Sequence, residues 1–269
     1  MNLFLKTTKL LAGALLCSLL HFNSVARDEN QPDSLFQLLK ESPNDSSRVH
    51  FNIELSRFYI TSDLSKALTY AENAVDLAEK SQNTEMLSNA LRNIGNVYFN
   101  KGIFELALTH YSRYLDIQKA GKNKKGIASA LINIGAIRLN MGELEKAKGN
   151  FTEALTLLNE LKRNTPEQNY DTEIITVYNN LGIACQNLKE FKQSEVYYYT
   201  GIELALKTNV RTGLLANLYN NLASLLLDQK NPDEAYEPIK RALDIRLQIG
   251  DKNGEAQSYR MFAIYYLEK

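Results

Sequence analysis

Apolar side chains recur three and four places apart along most of the chain. That spacing lays one stripe along an α-helix. Within it, a short block returns. Ala90-Leu91-Arg92-Asn93-Ile94-Gly95, Ala130-Leu131-Ile132-Asn133-Ile134-Gly135 and Val177-Tyr178-Asn179-Asn180-Leu181-Gly182 align, and Leu218-Tyr219-Asn220-Asn221-Leu222-Ala223 matches with Ala in place of Gly. Ser258-Tyr259-Arg260-Met261-Phe262-Ala263 keeps the aromatic and apolar places. The small residues stand at 95, 135, 182, 223 and 263, in steps of 40, 47, 41 and 40. Twelve places after the first four come Ala107, Ala147, Ser194 and Ala235, and four further on Tyr111, Phe151, Tyr198 and Ile239. Leu115-Asp116-Ile117 and Leu243-Asp244-Ile245 lie 128 apart, as do Gly126 and Gly254, so the same phase is marked independently.

Each repeat predicts a pair of helices. Helix A carries the first small residue and helix B the second, which lets the two backbones approach, and the aromatic of B fills the space between neighbours. Gly102 and Gly142 fall at the A-to-B turn, where a left-handed helix exit favours glycine. Asp63, Glu143 and Asn231-Pro232-Asp233 begin B helices with groups suited to helix starts. Phe51 to Tyr59 and Lys66 to Ala71 form a degenerate first pair, with a turn one residue shorter than the others. Leu35 to Leu39 can form a capping helix before it. The seven additional residues of the long step fall in Asn159–Asp171, around Pro166, and read as a longer loop. The array over residues 47–269 then holds five helix pairs and one unpaired A helix, preceded by a segment over 27–46. Such units bury apolar surface only by stacking, which makes an all-α solenoid with one cooperative core.

The amino terminus is different. Lys6 and Lys9 precede the apolar run Leu10 to Leu20, and Ser24-Val25-Ala26 offers a small-x-small exit. This describes an export signal over residues 1–26. Eleven apolar residues at about 1.5 Å each cannot cross roughly 30 Å of hydrocarbon. An uncleaved anchor is the alternative, and Leu16 argues against lipidation at Cys17. The expected location is therefore the bacterial periplasm or the exterior, with no membrane insertion after cleavage.

The whole chain of 269 residues has 31 basic and 31 acidic side chains, and it is 44% hydrophobic. Balanced charge excludes a nucleic-acid binder that relies on a basic surface, and the apolar content excludes a disordered chain. Without residues 1–26 only Cys185 remains, so no internal disulfide forms. Cys185 reads as a small buried hydrophobe; a nucleophile would want a base, and His50 and His110 lie in other repeats. No phosphate loop, HExxH, CxxC or G-x-S-x-G motif is present, so neither cofactor, metal nor catalysis is expected.

The bulky, apolar, small and aromatic places at these offsets resemble the tetratricopeptide repeat family, in its subgroup of about 40 residues that includes kinesin light chains. The aromatic expected after the first small residue is present at Tyr98 but replaced at Arg138, Cys185 and Leu226, and the closing proline is missing. The resemblance implies a right-handed superhelix whose A helices line a concave groove that binds a protein or peptide. Carried over by position, the groove residues are Asn89, Arg92, Asn96, Phe99 and Asn100; then Ser129, Ile132, Ala136, Leu139 and Asn140. Thr176, Asn179, Ile183, Gln186 and Asn187 follow, then Asn217, Asn220, Ser224, Leu227 and Asp228, with Gln257, Arg260 and Glu268 on the last helix. The polar members Asn89, Arg92, Asn96, Asn100, Asn140, Asn179, Asn187, Asn217, Asn220 and Asp228 are the candidate ligand-binding set. An amide ladder can hold an extended backbone, since each amide both donates and accepts. Alternatively the amides bridge neighbouring helices, which suits Asn93, Asn133, Asn180 and Asn221, recurring at one place beside the small residue. A clamp for a terminal carboxylate is not expected, because Arg92 faces Ile132 in the next repeat.

Two roles remain. The first is an exported, non-catalytic scaffold or adaptor. The second is a sensory input domain, since Leu35 to Glu79 resembles the start of exported repeat arrays in bacterial sensor histidine kinases. Phe262, Tyr265 and Tyr266 on the unpaired helix would favour self-association if exposed.

Overall fold

The structure, a computed structural model, describes residues 31–210 and 212–269. The segment read as an export signal lies outside the described residues. Twelve α-helices and no strand occur among them: α1 (Gln31–Lys40), α2 (Asp45–Tyr59), α3 (Leu64–Lys80), α4 (Thr84–Asn100), α5 (Phe104–Ala120) and α6 (Lys124–Asn140). Then come α7 (Leu144–Asn164), α8 (Asp171–Asn187), α9 (Phe191–Lys207), α10 (Gly213–Asp228), α11 (Pro232–Ile249) and α12 (Lys252–Glu268). This is the all-α helical-repeat solenoid that the repeat pattern implied. The even helices α2 to α10 are A helices, each followed by its B helix, and α12 is an A helix. The chain divides into two compact halves, one ending at Met141 and one beginning at Gly142.

Short polar side chains start many helices. Asn44, Asp63, Asn83, Asn123, Thr212 and Asp251 each accept a hydrogen bond from an amide of the first turn, satisfying donors that have no partner within the helix. Glu143 and Asn231 stand at the cap position as expected, but neither side chain bonds to the amides of its helix. Helix exits share one device. A left-handed residue closes the A-to-B turns at Gly102, Gly142, Lys189 and Lys230, and the turns into the next A helix at Gln82, Lys122, Asn209 and Gly250.

Two local expectations are corrected. The degenerate first pair has a longer turn, not a shorter one: four residues separate α2 from α3, against three between α4 and α5. The lost length comes out of α2, which ends at Tyr59 and reaches fewer residues past the buried Ser56 than α4 does past Gly95. The long step is only partly loop. Helix α7 has 21 residues where α5 has 17, and the remainder forms the link 165–170. There Tyr170 is buried and donates to Gln168 Oε1 at 2.6 Å, while Thr165 Oγ1 lies 3.0 Å from its hydroxyl.

The small residues do what their spacing implied. A Cβ added to Gly95 would stand 2.7 Å from the ring of Tyr111, and one on Gly182 would stand 2.3 Å from that of Tyr198. Both tyrosines are fully buried on their B helices, against the A helix of the same pair. Ala71, Ala107, Ala147 and Ala235 are likewise fully buried.

Each half also holds a clasp where a B helix hands over to the next A helix. In the amino-terminal half, Gln118 near the end of α5 donates to Ser88 Oγ of α4 at 2.6 Å and accepts from Asn123 Nδ2 at 2.6 Å. Gly126 opens α6 against this amide, and its missing Cβ would fall 1.9 Å from Gln118 Oε1. In the carboxy-terminal half the same place holds Arg246, which is 1% exposed. Its guanidinium donates to the carbonyl of Gly254, to Ser258 Oγ at 2.9 Å, to Asn217 Oδ1 at 2.7 Å and to Gln257 Oε1 at 3.1 Å. Burial holds its pKa below the usual range, and the charge of Asp251 opposes that shift.

Candidate ligand-binding face

In each half, A helices touch neighbouring A helices, α2 with α4, α8 with α10 and α10 with α12. B helices make no comparable mutual contact, so the A layer is the inner side of each half. The groove positions therefore sit on that inner side. What the side chains do there differs between the halves.

On α4, Asn89 and Asn100 are exposed, and Arg92, Asn96 and Phe99 are half-buried. Asn96 Oδ1 accepts the hydroxyl proton of Tyr111, tying the face to the packing aromatic. Burial raises the Tyr111 pKa well above the phenol range, so this hydroxyl stays a donor. Asn100 Nδ2 donates back to the Asn96 carbonyl at 2.8 Å, and on α6 Asn140 Nδ2 does the same to Ala136 at 2.8 Å. Asn140 is half-buried, whereas Ala136 and Leu139 are buried. Arg92 forms no ion pair or hydrogen bond with another described residue. Its charge lies close enough to Tyr111 to be felt there, acting against the rise in that hydroxyl's pKa.

In the carboxy-terminal half, three candidates are not at the surface. Asn179, Asn217 and Asn220 are 2%, 4% and 5% exposed and are bonded within the packing. Asn221 Nδ2 donates to Asn179 Oδ1 at 2.8 Å, Asn217 Oδ1 accepts a hydrogen bond from the Arg246 guanidinium, and Asn220 Nδ2 donates to Ser258 Oγ at 3.4 Å. The bridging alternative holds for Asn221 here and for Asn93 in the other half, which donates to Ser56 Oγ at 2.8 Å. Asn133 instead bonds to the Ser129 carbonyl of its own helix. Ile183 and Leu227 are buried too.

What stays accessible on α8 and α10 is Asn187, exposed, and a half-buried polar bridge. Tyr198 donates its hydroxyl to Gln186 Oε1 at 3.0 Å, and Gln186 Nε2 donates to Asp228 Oδ2 at 2.8 Å and to Ser224 Oγ at 3.3 Å. The sequence marked Gln186 and Asp228 as groove places, but their pairing across two A helices had no local signature.

Chemistry elsewhere is sparse. Cys185 is fully buried, and burial together with its hydrogen bond to Glu190 pushes the thiol up to about 12. A thiol so held is not a nucleophile. Lys148 Nζ donates to Glu190 Oε2 at 2.5 Å, which holds that carboxyl below its ordinary range. No cluster of three or more His, Cys, Asp or Glu side chains suited to a metal occurs among the described residues. No described helix is long and apolar enough to cross a membrane.

A tetratricopeptide repeat profile matches residues 86–160 and 214–269, and a second such profile matches 175–208. The chain belongs to the tetratricopeptide repeat family. No curated protein sequence matches it. Among solved structures, BtubC (BKLC) from P. vanneervenii superposes with a TM-score of 0.64 at 19% identity, covering 82% of this chain and 88% of that one. A putative kinesin light chain repeat protein from Podosopora anserina gives 0.60 at 13% identity, covering 78% and 100%. The Rap conjugation gene regulator of plasmid pLS20, solved with the Phr* peptide, gives 0.67 at 16% identity, covering 97% and 69%. At these identities the likeness establishes the fold.

Proposed function

We propose that this tetratricopeptide repeat protein is an exported, non-catalytic scaffold that holds an extended polypeptide segment on the A-helix face of its amino-terminal half. The observation that carries this reading is the contrast just described. On α4 the side chains of Asn89, Arg92 and Asn100 remain available after packing is satisfied, whereas the amides at matching places on α10 are consumed by it. The two exposed amides suit a peptide backbone, which needs both donors and acceptors along its length. Arg92 adds a planar cation with no partner of its own, which suits an acidic side chain of that segment. The pLS20 regulator is a repeat protein of this fold solved with a peptide, which supports the class of ligand. Export rests on the amino-terminal signal pattern alone.

The test is peptide selection from a random display library on the purified protein, followed by anisotropy titration of the enriched peptides. Acidic residues should recur among them. Arg92→Gln should weaken binding by about tenfold or more, near the 1.4 kcal/mol expected of one charge-assisted contact. Asn89→Ala should weaken it less. Failure to enrich any peptide, or affinity indifferent to both substitutions, would defeat the assignment.

A further inference from the structure

Helix α12 lays its apolar side on α11. Tyr265 is buried and Phe262 half-buried against Tyr236, at ring distances of 5.6 and 5.7 Å, which corrects the expectation that both are exposed. Near its start the same helix covers Arg246. This guanidinium is 1% exposed, and among the described residues no carboxylate comes within ion-pair distance of it. Its bonds run to four neutral oxygens: the Gly254 carbonyl and Ser258 Oγ from Nη1, Asn217 Oδ1 and Gln257 Oε1 from Nη2. The Nε hydrogen meets no acceptor. Asp251 lies close enough for its charge to be felt, but its carboxylate caps α12, taking the Gly254 amide at 2.9 Å.

A buried cation held by dipoles alone keeps an unmet demand for negative charge. The Nε and Nη2 hydrogens share one edge of the guanidinium, and that edge accepts a carboxylate through two parallel bonds. Here Nε is empty and Nη2 is held by two amides of unequal standing. Asn217 is 4% exposed and bonds at 2.7 Å, whereas Gln257 is half-buried, bonds at 3.1 Å and stands on the inner face. Gln257 is therefore the removable partner. Its place in the repeat is open within the array as well, where further helix pairs follow: Asn89 is exposed there, and Ser129 and Thr176 are half-buried.

We propose that Arg246 is a carboxylate-binding site of the carboxy-terminal half, with Gln257 as its cover. An acidic group swings the Gln257 side chain aside and takes the Nε and Nη2 hydrogens together. One long neutral bond is exchanged for two charge-assisted ones, and the released amide is hydrated at the inner face. A planar pair of oxygens matches this edge, and a spherical ion does not. The site is separate from the face around Arg92 and does not rest on it.

The probe is sodium acetate, titrated into the full purified chain against sodium chloride at equal ionic strength. The readout is the Arg246 Nε–H resonance in heteronuclear NMR, assigned from its loss in Arg246→Lys. Acetate should move it saturably, and chloride should not. Gln257→Ala should tighten acetate binding about fivefold. Gln257→Glu puts the carboxylate on the chain itself, so it should raise the melting temperature by about 2–4 °C and abolish the acetate response. Arg92→Gln should leave that response unchanged. The peptide acetyl-Gly-Glu-Gly-amide then assigns the source: tighter binding than acetate means an acidic side chain of a polypeptide, and equal or weaker binding a small free acid. A resonance that ignores acetate or follows chloride equally would overturn the proposal, as would a Gln257→Glu protein no more stable than its parent.

Discussion

The turn from α5 into α6 and the turn from α11 into α12 occupy the same place in the repeat, 128 residues apart. Both keep a glycine at the start of the incoming A helix, Gly126 and Gly254, because side chains lie where its Cβ would be: Gln118 of the outgoing B helix at Gly126, and Asp251 of the turn together with Arg246 at Gly254. The residue that reaches over is glutamine in one and arginine in the other. Gln118 is short and stops at Ser88, so the neighbouring Asn89 faces solvent. Arg246 is longer and carries more donors, and it draws in Asn217, the counterpart of Asn89, together with Gln257 and Ser258. One extra reach of side chain therefore decides whether an amide on the inner face is left exposed or spent on packing.

The largest expected effect is at the arginine. Arg246→Ala removes a buried cation, leaves Asn217 Oδ1 without the Arg246 donor and takes one donor from Ser258 Oγ and one from the Gly254 carbonyl, and it should cost about 3–4 kcal/mol in urea unfolding. Gln118→Ala breaks two neutral side-chain bonds and should cost about 2 kcal/mol. Equal losses would mean that the two clasps are energetically alike and would remove the basis of the comparison.

The glycines should follow the same order. At Gly254 an added Cβ meets Arg246 Cδ at 2.7 Å as well as Asp251 Oδ2 at 2.1 Å, whereas at Gly126 the three nearest atoms all belong to the flexible Gln118 side chain. Gly254→Ala is expected to cost about 2 kcal/mol, and Gly126→Ala about 1 kcal/mol after the helix propensity gained by alanine. Thermal melts of the two variants would show it.

A gain is expected in the carboxy-terminal half, where Lys230 holds φ 63° at a turn whose equivalents in earlier repeats are Gly102 and Gly142. Lys230→Gly relieves that conformation and should stabilise by about 0.5–1 kcal/mol. The same change at an ordinary helical lysine would destabilise.

The smallest effect concerns pH and the amino-terminal half. His110 stacks on Tyr98 at 5.4 Å, and burial, helped by Arg113 and opposed by Glu79, holds its pKa below 6.5. The unfolded chain takes up that proton first as pH falls. Stability attached to neutral His110 is therefore complete above about pH 6.5 and drains away below it, until the folded protein is protonated too. His110→Tyr, copying Tyr197 at the matching place, should flatten the melting temperature between pH 7.5 and 5.5. An unchanged slope would assign the titration elsewhere.

How far the sequence could be read follows from these same residues. Gly95 with Tyr111, and Gly182 with Tyr198, were visible as pairs because one contact recurs at one spacing, and repetition turns a weak local signal into a strong one. The first turn and the seven-residue insertion were misplaced because a count of residues between two landmarks does not say whether helix or loop absorbs the difference. The inner-face amides were ambiguous for a different reason. Asn89 and Asn217 have the same residue type at the same repeat position, and their fates separate only through residues about 30 places away.

By itself, then, the sequence determined the helices, their pairing and the phase of the array, since these depend on periodicity, small residues and turn chemistry within one repeat. Tertiary structure alone decided which inner-face amides are taken up by neighbouring helices and that Arg246 is buried. Those outcomes depend on the reach of a side chain into the next helix pair and on whether a neighbour is there to meet it, which no spacing along the chain records.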